Sequence, residues 1–254
     1  MMTLTIAWRE LRTLFLSPLA WAMLAVVQGL LALVFLLLLS QYVDSQAMLS
    51  VRNNPAGVTA LVVSPVFASV GSFVFMLVVP LLSMRLLSEE RRSRSLTLLL
   101  SAPVRVRDIV LGKYLGLVGF LAVSLLLLLS MPLSLLFGGQ LDYGQLASVM
   151  LGMLLLVATF AAIGLYMSSL TSHPAVAAVS TIGILLFLWF VGWAALPGEE
   201  AGVSGALKYL SMLNHLNALA NGVFDTSDIA YYVLASALFL ILAIRRLDSE
   251  RLQQ

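Results

Sequence analysis

Ser88–Gly116 reads SEERRSRSLTLLLSAPVRVRDIVLGKYLG and is the one place where charge is concentrated. Arg85 stands just before it. Together with Arg91, Arg92, Arg94, Arg105, Arg107 and Lys113 it makes seven of the fourteen Lys and Arg residues. Glu89, Glu90 and Asp108 sit among them, and long apolar runs lie on both sides. A charged loop of this size between two membrane spans faces water. Its positive excess assigns that water to the cytoplasm.

Composition agrees with spans on either side. Of 254 residues, 61% are hydrophobic and 10% are charged, and the mean hydropathy is +1.04. Soluble domains carry about 25% charged residues, so the sequence describes an all-α integral membrane protein. It has no cysteine, which excludes a disulfide framework, a thiolate nucleophile and a Cys-ligated metal. The net charge is only +2. Twelve of its fourteen cations lie in one loop and at the two ends, which fits membrane topology and not nucleic-acid binding. The first apolar run is too long for a signal-peptide core, so no cleavable signal is expected.

Working outward, Leu4, Trp8, Leu11 and Phe15 recur at helical spacing, with Arg9, Arg12 and Thr13 opposite. Residues 1–18 read as an amphipathic helix in the cytoplasmic interface, ending at Ser17-Pro18. Six spans follow, at 19–42, 61–87, 109–137, 145–170, 175–196 and 229–244, each apolar enough to cross a core of about 30 Å. Between them lie a polar loop, the charged loop 88–108, short turns, and a longer polar loop at 197–228. Residues 245–254 form a charged tail. Six spans put both termini on one side. That side holds Arg9, Arg12, the seven loop cations, Arg245, Arg246 and Arg251, which is 12 of 14. The asymmetry predicts cytoplasmic termini. No inverted repeat of the kind found in secondary transporters is visible.

Chemistry is absent where a self-powered carrier needs it. Leu19–Val43, Asn53–Met84, Tyr114–Leu141 and Ile229–Ile244 hold no Asp, Glu, Lys, Arg or His, and between Tyr143 and Gly198 the one candidate, His173, sits in a turn. A proton- or sodium-coupled carrier places ionisable groups near the midplane. A phosphate-cradling loop also fails, because Gly112-Lys113 is followed by Tyr114, with Arg107 where the first glycine belongs. Energy for uphill work therefore has to come from a separate subunit, and the chain itself reads as non-catalytic. Gly202-Val203-Ser204-Gly205 with His215 suggests an intramembrane serine protease, but both lie in one polar loop, so a Gly/Ser linker is the better reading. Two distant His residues make no metal site. Gly112, Gly116 and Gly119 form a small-residue stripe suited to close helix packing within the bundle.

Two loops carry information. Glu89–Leu100 reads as a short helix ending before Pro103, with Leu96, Leu99 and Leu100 on one side and Arg91, Arg92 and Ser95 on the other. A rigid charged helix between two spans can pass force from a soluble partner. A solvated loop with no partner is the alternative. The second loop, Gly205–Asp228, reads GALKYLSMLNHLNALANGVFDTSD. Leu207, Leu210, Leu213, Leu216 and Leu219 repeat every three residues, with Asn214, His215, Asn217 and Asn221 as the polar side. It reads as a re-entrant or interfacial helix on the outer surface. His215, Asn217, Asn221 and Asp225 are its candidates for an extracytoplasmic gate. A packing helix without a gating role is the other reading.

At these loops the chain resembles permease subunits of the ABC-2 exporter family, and within it the branch of the gliding-motility permease GldF and the copper/nitrous-oxide permease NosY. The carrying residues are Glu89-Glu90-Arg91-Arg92-Ser93, Leu98-Leu99-Leu100-Ser101-Ala102-Pro103 and Asp108–Gly116. A second patch comprises Leu210-Ser211, His215, Gly222-Val223-Phe224-Asp225, Asp228, Tyr231-Tyr232 and Arg246-Leu247-Asp248. Arg94 and Thr97 stand where the family often has Gly and Glu, which makes the segment more basic.

The resemblance implies a type V exporter-like, six-span fold with an N-terminal connecting helix, a coupling helix and outer re-entrant helices. It implies a homodimer or pseudo-dimer in the bacterial inner membrane. Two copies of a cytoplasmic ABC ATPase would supply ATP and Mg chemistry, with no cofactor in this chain. A periplasmic or membrane accessory protein is a further implied partner, and nucleic acid is not. Glu89, Glu90, Arg91, Arg92, Arg94, Leu98, Leu99 and Pro103 take the ATPase-coupling role. A scaffold or mechanotransmitter that translocates nothing is the alternative. Few polar residues are available for a lumen, among them Gln28, Ser69, Ser72, Ser124, Ser130, Thr159, Ser180 and Thr181. That scarcity points to a lipidic substrate or to none.

Overall fold

The computed structural model describes residues 2–51, 57–93, 105–137, 141–191 and 209–251. The described residues are helical, with six stretches long and apolar enough to cross a membrane. In chain order these are α1 (Met2–Leu16), α2 (Pro18–Val51), α3 (Ser72–Ser83), α4 (Arg85–Arg92), α5 (Val106–Ser134), α6 (Tyr143–Leu170), α7 (Pro174–Val191), α8 (Met212–Ala220) and α9 (Thr226–Arg251). Two π-helical segments, Thr59–Val63 and Val66–Gly71, lead into α3. With α3 and α4 they form one continuous span, Thr59–Arg92.

That span and α6 make the centre of the bundle. Each is 67% buried over its most apolar window, against 22% for α2 and 28% for α7 and α9. The peripheral helices show leucines to the surroundings, such as Leu33, Leu36, Leu234 and Leu238. This is expected where lipid tails replace water. The core fills with Phe67, Phe75, Met76, Phe120, Phe160 and Tyr232.

The second span is irregular for local reasons. Pro65, between the two π segments, has no N–H to donate. Bulges of this kind accompany such gaps. The Ser72 hydroxyl donates to the Ala68 and Ser69 carbonyls at the end of the second π segment. Pro80 lies inside α3, and the helix breaks at Met84 four residues later. The break is bridged from α6. The Ser168 hydroxyl accepts from the Leu87 and Ser88 amides at 3.1 and 3.0 Å and donates to the Met84 carbonyl at 2.9 Å. Alongside, Gly164 lets Ser83 come close, since a Cβ there would overlap its hydroxyl.

Chain connections define two ends. The proximal end carries α1, the end of α4, the start of α5 and the end of α9. The distal end carries α8 and the start of α6, where Asp142 caps the helix by accepting from the Gly144 and Gln145 amides at 2.9 and 3.1 Å. Helix α8 closes with Gly222 at φ 79°. The Gly222 amide bonds the Leu219 carbonyl and the Val223 amide bonds the Ala218 carbonyl, an arrangement that needs the left-handed residue.

Helix ends differ from the sequence expectation in places. The second span runs on to Arg92, so Glu89–Arg92 continue a span instead of starting a separate helix. The rest of the expected coupling helix, including Arg94, Leu98, Leu99 and Pro103, lies outside the described residues. In the distal loop the helix covers Met212–Ala220, shorter than the leucine repeat suggests. The tail is helical to Arg251, because α9 continues past the apolar stretch.

Candidate functional site

The proximal site is built around Lys113, about two turns inside α5. Its side chain is 5% exposed. Its ammonium lies 2.7 Å from Glu90 Oε1 on α4 and 3.5 Å from Glu10 Oε2 on α1. A buried ammonium needs such partners, since desolvation alone costs several kcal/mol. The approach of α1 is set by the glycine stripe. A Cβ on Gly112 would meet Ile6 at 2.7 Å, and one on Gly116 would meet Glu10 Cβ at 2.7 Å and the Ala7 carbonyl at 2.9 Å. The stripe therefore receives the amphipathic helix. Thr3 adds a hydrogen bond to Asp108 Oδ1 at 2.7 Å. A cavity of about 250 Å³ opens beside Lys113, lined by Arg9, Glu10, Arg85, Glu89 and Glu90.

Arg91, the next residue, points the other way. It pairs with Glu250 of α9 at 2.8 Å and donates to the Ser169 carbonyl at the end of α6. Arg246 joins the same Glu250 at 3.3 Å. Adjacent residues on a helix are about 100° apart. The last turn of α4 is thus tied to α1 and α5 on one side and to α6 and α9 on the other. Glu89 and Arg92 remain exposed. Of the expected coupling residues, Glu90 and Arg91 are used within the chain.

The distal site gathers around His215 on α8. Its Nδ1 lies 2.6 Å from Asp228 Oδ1 and its Nε2 lies 2.7 Å from the Tyr209 carbonyl. Both His215 and Asp228 side chains are 8% exposed. Tyr231 stacks on the imidazole at 4.2 Å with a 23° tilt, and Tyr209 meets it edge-on at 5.2 Å. The Tyr231 and Tyr232 hydroxyls donate to the Leu210 and Met212 carbonyls at 2.7 and 2.6 Å. From α6, Ser148 and Gln145 donate to the Leu219 and Ala220 carbonyls at 2.7 and 2.9 Å.

The other expected gate residues are not gathered with His215. Asn217 is half-buried, and Asn221 and Asp225 are exposed. Asp225 accepts from the Ser227 backbone amide and hydroxyl, which holds its carboxyl below the usual range.

Lys113, Glu10, Ser168 and the role of Asp228 were not singled out from the sequence. For Lys113 a signal existed, a cation one turn inside an apolar run. For Ser168 there was none. The polar residues considered for a lumen are mostly bonded to nearby backbone. Ser130, Thr159, Ser180 and Thr181 donate to carbonyls of the preceding turn, and Gln28 reaches the Ser124 carbonyl at 3.1 Å.

An apolar multi-span bundle with charged ties at one end defines a multi-pass membrane subunit. The family model described as "ABC-2 family transporter protein" matches residues 4–252, and the chain belongs to that family. Subunits of this family are typically non-catalytic and generally work with an ABC ATPase. No curated protein matches the chain.

Proposed function

We propose that this chain is the membrane-spanning subunit of an ATP-driven ABC-2 transporter of the GldF/NosY-like branch, seated in a bacterial inner membrane as a homodimer with two ATPase copies. The proximal end faces the cytoplasm in this reading, which the placement of 12 of 14 cations supports. The observation that carries the proposal is the double tie of α4. Glu90 and Arg91 fasten the root of the charged segment to four helices through Lys113, Glu10, Glu250 and the Ser169 carbonyl. A push on the segment beyond Ser93 then reaches the bundle through charge-assisted bonds. Glu89 and Arg92, exposed on the same turn, face the ATPase along with Arg94, Leu98, Leu99 and Pro103. At the distal end, α8 and His215 belong to the outer gate.

The test is copurification. Tagged wild-type chain, gently solubilised, should bring down a nucleotide-binding subunit with vanadate-sensitive ATPase activity. The pair Glu89→Lys with Arg92→Glu should weaken that association while leaving the chain's thermal stability unchanged. No ATPase partner under several detergents would sink the reading. A second reading, a scaffold that works on a periplasmic partner without translocating anything, draws on the polar residues whose bonds are spent on nearby backbone. It is separated from export by the accessory proteins recovered in the same experiment.

A further inference from the structure

We infer that His215 and Asp228 form a proton-binding site at the distal end, and that the bound proton holds α8 against α9. Both nitrogens of the His215 ring face oxygens at hydrogen-bond distance, Asp228 Oδ1 at 2.6 Å and the Tyr209 carbonyl at 2.7 Å. A carbonyl only accepts, and an ionised carboxylate only accepts. Two bonds therefore need two protons among Nδ1, Nε2 and Oδ1. Neutral imidazole with an ionised carboxylate supplies one. Keeping both bonds takes one proton more, either as an imidazolium beside a carboxylate or as a neutral ring accepting from a carboxylic acid.

Removing that proton sets lone pair against lone pair at one of the two contacts. Loss at Nδ1 opens the tie between α8 and α9, and loss at Nε2 opens the tie to Tyr209. Either way α8 is freed at one point, because the His215 and Asp228 side chains are only 8% exposed and a lost bond is poorly replaced there.

The surroundings give the proton little competition. From α9 come Asp228 itself, Tyr231 stacked on the ring and Tyr232, whose hydroxyl bonds Met212. From the segment before α8 comes Tyr209. From α6 come Ser148 and Gln145, both bonded to the far end of α8. Asp225 lies in an exposed turn occupied with Ser227. Among the described residues no other charged side chain pairs with His215 or Asp228. Tyr209 is 60% exposed, so the site borders the surface, where a proton can exchange. The inference stands on these side chains alone and does not depend on an ATPase partner.

The test is amide hydrogen exchange of Met212–Ala220 in the full chain, reconstituted in lipid nanodiscs, from about pH 5 to about pH 10. After correction for intrinsic exchange, wild-type protection should fall roughly tenfold across a single one-proton step as pH rises. Asp228→Asn is the informative variant. Its amide donates to Nδ1 while the neutral ring donates Nε2–H to Tyr209, so every bond is kept without the extra proton. Protection in that variant should be flat with pH. A flat wild-type profile, or the same step in Asp228→Asn, would overturn the inference. Should Asp228→Asn not fold, the ring ¹⁵N signals of His215 decide, read in wild type with His173→Gln to remove the second of two histidines. A ring transition coincident with the loss of protection supports the site, and protection lost without one overturns it.

Discussion

Removing the ammonium at position 113 gives the sharpest test of the proximal site. In Lys113→Met, Glu10 and Glu90 lose the cation that sits 3.5 and 2.7 Å away, and two carboxylates face each other across its place. Breaking a buried ion pair costs about 3–5 kcal/mol. Glu10 and Glu90 keep 20% and 30% of their side-chain surface, so water recovers part of it, and the expected loss is about 2 kcal/mol. In a chain of this size that lowers Tm by roughly 4–8 °C. The assay is a thermal melt in one detergent at one scan rate, followed at tryptophan. The companion is the triple variant Lys113→Met, Glu10→Gln, Glu90→Gln. It removes all three charges at near-constant volume and should recover most of the loss, because a neutral site strands nothing. If the triple variant melts as low as the single one, the lysine acts through packing alone and the ionic account of this end is wrong.

Gly112→Val should push α1 outward by about 1 Å to restore ordinary contact with Ile6, raising trypsin cleavage after Arg9 and Arg12. Gly119→Val, where the nearest atom is Leu11 Cδ1 at 3.5 Å, is the tolerant control. Ser168→Ala should cost about 1–3 kcal/mol in the same melts, because the Leu87 and Ser88 amides lose their acceptor in a dry site. Ser169→Ala should do little, its hydroxyl serving only the Tyr166 carbonyl. Asp225 should titrate below the usual carboxylate range by NMR, returning to it in Ser227→Pro, which lacks both donors. With the folded pKa depressed, its small contribution is present at neutral pH and fades as pH falls through the folded value.

The spans were legible because apolar runs of about twenty residues have few other homes. The charged segment was legible because a cluster of seven cations among long apolar runs has no place in hydrocarbon. The glycine stripe was visible too, and its closeness was right. Its partner was not visible, since nothing in the spacing of Gly112 and Gly116 says which helix arrives. The same limit applies to Glu90 and Arg91. On a line of sequence they read as two more loop charges, and only the placement of α1 and α9 shows that they face opposite neighbours. His215 stood out as a polar residue among leucines, and Asp228 as part of the same patch. Their pairing depends on the turn at Gly222, which folds α8 back on the start of α9. Ser168 gave no signal, because a serine near a helix end is ordinary until a broken helix lies beside it.

The π-helical run before α3 leaves the second span with a length that residue count does not fix. Each bulge stores a residue that a regular helix would spend on advance. A regular helix turns about 100° and rises 1.5 Å per residue. Were a stored residue taken up, everything below it would screw through that angle, and α4 would carry Glu90 and Arg91 off their partners together. The central span is in this sense a threaded shaft with spare pitch, held in its present setting by Ser168 and by the two ion pairs at its foot.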